Sequence, residues 1–178
     1  DEQLARAQAE ALASGMALGI MDDLAVGVHS QGADVWSNPE AFASGVTVGA
    51  PPDMYNQQGQ NWSQPPWNPE YLARSAYAPL RDMVRTVLRH AGALRVDHII
   101  GLFRLWWIPE GMGADHGAYV RYDHEAMLGV VLLVVGFRRR DAARRSPVPQ
   151  SDGKGLRIAG WIVLAVGVLG FLGQVATT

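Results

Sequence analysis

The feature that most constrains this chain is an order of elements that occurs twice: a helix-like stretch, a short apolar run, then an acidic residue. In Asp1 to Ser14, Leu4, Ala7, Ala11 and Leu12 recur at helical spacing, acids crowd the first turn, and Gly15 stands where a helix C′ residue belongs. Met16 to Leu24 then reads as a short buried strand ending on the pair Asp22-Asp23. Further on, Pro69 is well placed to open a helix through Leu72, Tyr77, Leu80, Met83, Val84, Val87 and Leu88 to His90, with Pro79 expected to bend or split it. Gly92 closes that helix, and Ala93 to Val96 is a second short strand followed by Asp97. This is the grammar of a parallel α/β fold.

Between the two units, Ala25 to Pro69 is rich in Gly, Pro, Asn and Gln and contains Trp36, Tyr55, Trp62 and Trp67. Loops of that length in a compact domain are functional or disordered, and so many aromatics favour function. After Asp97, Ile99 to Ile108 is strongly apolar with Arg104 inside it, Gly111, Gly113 and Gly117 mark a turn-rich loop, and a further helix is expected to open near Asp123. There is no internal repeat.

Composition matters chiefly for what it excludes. A length of 178 residues suits one domain of ordinary size, and 48% hydrophobic with 18% charged residues excludes a disordered chain. Without Cys there is no disulfide framework, thiolate zinc site or cysteine nucleophile. Charge divides the chain: Asp1 to Ala126 has 8 Arg/Lys against 15 Asp/Glu, and Met127 to Thr178 has 7 against 2. Neither part suggests nucleic acid, because the first is acidic and the second sets its basic residues beside apolar runs.

The second part reads as a tail. Met127 to Phe137 is an uninterrupted apolar run, followed by Arg138, Arg139, Arg140, Arg144 and Arg145 and a Pro/Ser/Gly stretch. Residues 158–178 carry no charge, enough for a membrane helix of roughly 20 residues. The first run is too short to span unless it draws in Tyr122 to Ala126, which would bury Asp123 and Glu125. The basic loop between the runs is expected to stay cytoplasmic. The alternative for 158–178 is a core helix of a soluble protein. No signal peptide is legible, and a start at Asp1 suggests a piece of a longer protein.

Chemistry gathers at the second strand. Side chains alternate along a strand, so Arg95 and Asp97 point to the same side. Arg95 is then expected to pair with Asp97 and hold it ionised as a nucleophile, although most Arg-x-Asp pairs are structural ion pairs.

The segments Gly49-Ala50-Pro51-Pro52-Asp53, Gly59-Gln60-Asn61-Trp62 and Leu94 to Pro109 (LRVDHIIGLFRLWWIP) closely resemble the amylomaltases, 4-α-glucanotransferases related to the α-amylases. Ile20 to Val28 and Gly117 to Tyr122 fit the same family in the same order, so the resemblance covers about residues 1–126. It implies an incomplete part of a (β/α)8 barrel that moves α-1,4-glucan segments between maltodextrins with retention, needing no cofactor and no metal. By motif, Asp97 is the nucleophile and Arg95 positions it. The loop from Gly49 to Pro66 would lie over the glucan. Tyr55 and Trp62 are candidates to stack on sugar rings, burial beneath the loop being the alternative for each. Asp23 is expected to anchor the strand end or a sugar hydroxyl, and His98 to bond a sugar hydroxyl or pack as a core histidine.

The family pattern continues to a Glu-Asp-Leu-Gly motif, whose Glu is the general acid/base, and then to a His-Asp motif. This sequence has neither; Glu110 and Glu125 stand closest behind the nucleophile, and neither is expected to follow a strand. The expected domains are therefore a partial barrel over 1–126, an apolar run and basic linker over 127–157, and a membrane helix over 158–178. The polypeptide alone is expected to be inactive, with a cytoplasmic barrel part and membrane association through the tail. The competing expectation is a small membrane-anchored protein whose tail binds a membrane complex and whose front part is non-catalytic.

Overall fold

The computed structural model describes residues 1–25 and 27–145. The chain divides into two compact units, Asp1–Leu132 and Leu133–Thr178. In the first unit, helix α1 (Glu2–Ala13) precedes strand β1 (Met21–Leu24), and a short helix α2 (Ala33–Ser37) precedes β2 (Val46–Ala50) and β3 (Gln60–Gln64). Helices α3 (Pro69–Arg74) and α4 (Ala78–Val87) lead to β4 (Ala93–Val96), β5 (Arg104–Pro109), β6 (Ala118–Arg121) and α5 (His124–Arg145).

Two sheets result. β1 and β4 pair in parallel, Asp23 opposite Arg95 and Leu24 opposite Val96. The other sheet is antiparallel in the order β3-β2-β5-β6. The parallel pair meets the α/β expectation. The antiparallel sheet was not expected: two of its strands lie in the Gly- and Pro-rich stretch read as a loop. What makes them strands is long-range pairing, with Val48 set against Trp107 and Gly49 against Trp106.

Two local outcomes differ from expectation. β1 starts at Met21 rather than Met16, because Gln8 of α1 satisfies the preceding backbone: its side-chain amide donates to the Leu18 carbonyl at 3.0 Å and accepts from the Ile20 N–H at 2.6 Å. The helix opened by Pro69 does divide, but at Ala76 and Tyr77, both left-handed, and Pro79 sits in the first turn of α4, where its missing N–H costs nothing. The apolar stretch after Asp97 is a 3-10 turn (Ile99–Leu102) followed by β5.

The core of the first unit gathers Leu72, Leu80, Val84, Ile108 and Met127, all fully buried. Burial of such side chains stabilises by about 1.5–3 kcal/mol each. Phe42 stacks on Trp67 with ring centres 4.6 Å apart, and the buried Tyr122 hydroxyl donates to the Trp67 carbonyl at 3.0 Å. That bond ties the end of β6 to the segment leading into α3.

α5 opens where expected, with the Asp123 carboxylate accepting from the Ala126 N–H at 3.0 Å. The apolar run from Met127 and the arginines behind it form one helix through Arg145. Among the described residues no helix is long and apolar enough to cross a membrane. The membrane helix expected over 158–178 lies outside the described residues, as does the linker beyond Arg145.

Candidate active site

The strand pair β1/β4 places three charged side chains at one end. Directly opposed residues of a parallel pair face the same side, and so do residues two apart on one strand. The register therefore puts Asp23, Arg95 and Asp97 on one face. Arg95 donates from one guanidinium nitrogen to Asp23 at 2.9 Å and from the other to Asp97 at 3.1 Å. The Asp97 N–H donates to the Leu24 carbonyl at 3.1 Å, which extends the ladder one residue past β4 and holds Asp97 at the strand terminus. The hydrogen bond that Arg95 donates to Asp23 and the Asp23 charge, followed by the charge of Asp97, raise the Arg95 pKa and keep the bridging cation protonated. All three side chains are about half exposed, so the cluster is open to water.

Arg95 pairs with Asp97, and Asp23, expected to anchor the strand end or a sugar hydroxyl, accepts from the same guanidinium. The signal was present only as the position of an acid near the end of the other strand; the register of the pair is what brings it across.

Trp62 reaches the same neighbourhood through an irregularity. Gly49 pairs with Asn61 and the adjacent Val48 with Gln64, so Trp62 and Ser63 have no partner on β2. Such a bulge re-aims a side chain. Asn61 accepts from the Ser63 N–H at 2.8 Å and supports a left-handed Ser63. Gln60 accepts from the Trp62 indole N–H at 3.0 Å, a positioning role the sequence did not reveal. Trp62 is thereby half-buried and set edge-on to His98, ring centres 5.2 Å apart.

His98 follows the nucleophile candidate in a left-handed conformation. It is solvent-accessible rather than a core histidine, and partial desolvation lowers its pKa despite the neighbouring Asp97 charge. Tyr55 stands apart. Its backbone is held in a turn by Asp53, which accepts from the Tyr55 and Asn56 N–H groups at 2.8 and 2.6 Å, but its ring is 91% exposed and not buried beneath the loop.

Neither glutamate behind Asp97 joins the cluster by ion pair or hydrogen bond among the described residues. Glu110 does follow a strand, contrary to expectation, but that strand is β5 of the antiparallel sheet. Glu125 lies in the first turn of α5. Among the described residues no three His, Asp or Glu side chains converge to hold a metal ion.

The profile of the 4-alpha-glucanotransferase family matches residues 1–137. This chain belongs to that family. The match runs past residue 126 into the apolar stretch. The chain is 63% identical to a 4-alpha-glucanotransferase of Mycobacterium tuberculosis over 133 residues, 75% of this chain and 18% of the relative. It is 44% identical to one from Haemophilus influenzae over 133 residues, 75% of this chain and 19% of that relative. The crystal structure of amylomaltase from Corynebacterium glutamicum superposes with a TM-score of 0.75 at 53% identity, covering 77% of this chain and 20% of that one. The fold is also that of a Streptococcus agalactiae amylomaltase solved with acarbose, at a TM-score of 0.69 and 22% identity over 76% of this chain and 28% of that one. The chain thus spans about a fifth of the length of the curated relatives named here.

Proposed function

We propose that this chain carries the nucleophile side of a retaining 4-α-glucanotransferase site acting on α-1,4-glucans. In this reading β1 and β4 are neighbouring strands of a (β/α)8 barrel, where catalytic groups gather at the carboxyl ends of the strands. The observation that carries the reading is the Arg95 guanidinium bridging Asp23 and Asp97 at that end of a parallel pair.

The chemistry follows from two displacements. The Asp97 carboxylate attacks the anomeric carbon of the donor, the bond to the leaving glucan oxygen breaks, and that oxygen takes a proton from a general acid. The 4-hydroxyl of an acceptor sugar then attacks the same carbon, gives its proton to the resulting base, and frees Asp97. Two inversions leave the configuration unchanged. Arg95 holds Asp97 on line for attack and is itself anchored by Asp23. Trp62 offers a ring for the CH face of a glucose, with His98 beside it to bond a hydroxyl. Tyr55, exposed on the loop between β2 and β3, contributes only when that loop closes over a glucan.

The acid that protonates the leaving oxygen is not assigned to any residue of this polypeptide. General acid help is worth ~10²–10⁴ in rate, so the polypeptide incubated with maltotriose is expected to yield neither glucose nor longer maltodextrins at an enzymatic rate. An α-maltotriosyl fluoride bypasses the need, because fluoride departs without a proton. Mass spectrometry after incubation is expected to find a glycosyl adduct on the peptide containing Asp97, and none in Asp97→Asn. An adduct on another carboxylate, or no adduct at all, removes Asp97 from the role. The rival reading, a membrane-anchored chain with a non-catalytic front, rests on residues 158–178, outside the described residues, and the site geometry does not favour it.

A further inference from the structure

The face of the β5/β6 hairpin that carries Arg104 and Trp106 has an arrangement that sheet stability alone does not explain. Arg104 lies directly opposite Arg121, and Trp106 opposite Tyr119. The Tyr122 N–H donates to the Phe103 carbonyl at 2.9 Å. That bond flanks the Arg104/Arg121 pair and makes it a non-hydrogen-bonded pair, the type in which facing side chains come closest; Trp106/Tyr119, two residues along, is of the same type. Like charges set directly opposite destabilise a sheet, and an acid at either position would be the stabilising choice. Among the described residues neither arginine forms an ion pair with a carboxylate.

Arg104, Tyr119 and Trp106 are nevertheless held in order. Arg104 lies over the Tyr119 ring at 4.3 Å, a cation–π contact that fixes the guanidinium without neutralising it. Tyr119 and Trp106 meet edge-to-face with ring centres 4.9 Å apart, and the Trp106 indole N–H donates to the Ala114 carbonyl at 2.8 Å. Gly117 packs so closely on the Trp106 indole that a Cβ there would overlap it. Arg104 and the half-exposed Tyr119 ring thus have a rigid support, and no carboxylate neutralises either arginine among the described residues.

We propose that Arg104, Arg121 and Tyr119 bind a phosphorylated hexose, the two guanidinium groups taking the phosphate monoester and the phenol ring taking the sugar face. Arginine matches phosphate with paired N–H donors, and an aromatic ring offers an apolar surface to the C–H groups of a pyranose. None of these residues takes part in the transfer reaction proposed for Asp97, so failure of either proposal leaves the other standing.

The test is calorimetric titration of the 178-residue chain with glucose 6-phosphate, glucose 1-phosphate, inorganic phosphate and glucose. At least one hexose phosphate is expected to bind saturably, inorganic phosphate about tenfold more weakly, and glucose not measurably. Arg104→Gln and Arg121→Gln are each expected to weaken hexose phosphate binding by about tenfold or more, and Tyr119→Ala to erase its advantage over inorganic phosphate. Arg121→Glu separates binding from sheet structure: it is expected to raise Tm by relieving the like-charge pair while abolishing binding. Circular dichroism checks that each variant is folded. The proposal is overturned if no phosphate compound binds, if binding survives both glutamine substitutions in folded protein, or if glucose binds as well as its phosphates. Equal binding of inorganic phosphate and hexose phosphates overturns the assignment of the ligand class.

Discussion

Asp23 sits directly across the β1/β4 ladder from Arg95 and receives its guanidinium at 2.9 Å, a closer contact than the 3.1 Å between Arg95 and Asp97 two residues along its own strand. The cation at this site is therefore held from the neighbouring strand. Because all three side chains are about half exposed, solvent screens the bridge, and it orients Asp97 more than it stabilises the fold. Arg95→Leu and Asp23→Asn are each expected to leave the urea denaturation midpoint little changed. The same Arg95→Leu variant should slow glycosyl labelling of Asp97 by more than about tenfold. A large drop in that midpoint would mean that the bridge is a buried structural pair.

At Gly49, β2 leaves no room for a side chain. A Cβ at this position would strike the Gln60 carbonyl oxygen and come within 2.6 Å of the Ile108 Cδ1. One obstacle is backbone and the other a fully buried side chain, so neither yields cheaply. Gly49→Ala is expected to destabilise by roughly 1–3 kcal/mol. Because the bulge that aims Trp62 begins at Gly49, the variant should also change the environment of the Trp62 indole N–H in NMR. An unchanged denaturation midpoint would show that β3 can shift away freely.

Gln8 does the work of a strand neighbour for the Leu18 carbonyl and the Ile20 N–H. Gln8→Ala leaves the part-buried Ile20 N–H and the exposed Leu18 carbonyl without their side-chain partner. The expected cost is about 1–2 kcal/mol, with faster proteolysis between Ser14 and Ile20. Equal cleavage rates for variant and parent chain would count against this role.

His98 carries a pH dependence of definite sign. Desolvation places its folded pKa below the ordinary value of 6.5, which the unfolded chain retains. Between those two values the unfolded state binds more protons, so stability rises with pH across that interval. The contribution is intact above about pH 6.5 and is lost as pH falls through the folded pKa. Urea denaturation at pH 7.5 and pH 5.5 is expected to show a smaller loss on acidification for His98→Gln than for the parent chain. An equal loss would assign the dependence to other groups.

Residues within a few positions of one another determined a good deal of this protein. Leu4, Ala7, Ala11 and Leu12 with Gly15 marked α1, Asp123 marked the start of α5, and Ala93 to Val96 with Asp97 marked the strand and candidate nucleophile. Each is a local signal, a helical period, a capping group or a short apolar run, and local energetics suffice to read it. The family resemblance was also carried by contiguous motifs, and the match over residues 1–137 agrees with it.

What only the tertiary structure decided concerns partners distant in sequence. Asp23 and Arg95 are 72 residues apart, and the parallel register alone selects one for the other. The antiparallel sheet joins β2, in a Gly- and Pro-rich stretch, to β5, whose apolar residues signalled burial but not a partner. Trp62 meets His98 because the bulge leaves it unpaired, and β1 begins late because Gln8 reaches across from α1. The physical reason is common to all four. A backbone N–H or a charged side chain must find a partner, and the amino-acid order specifies that need locally, whereas chain packing determines which distant group meets it.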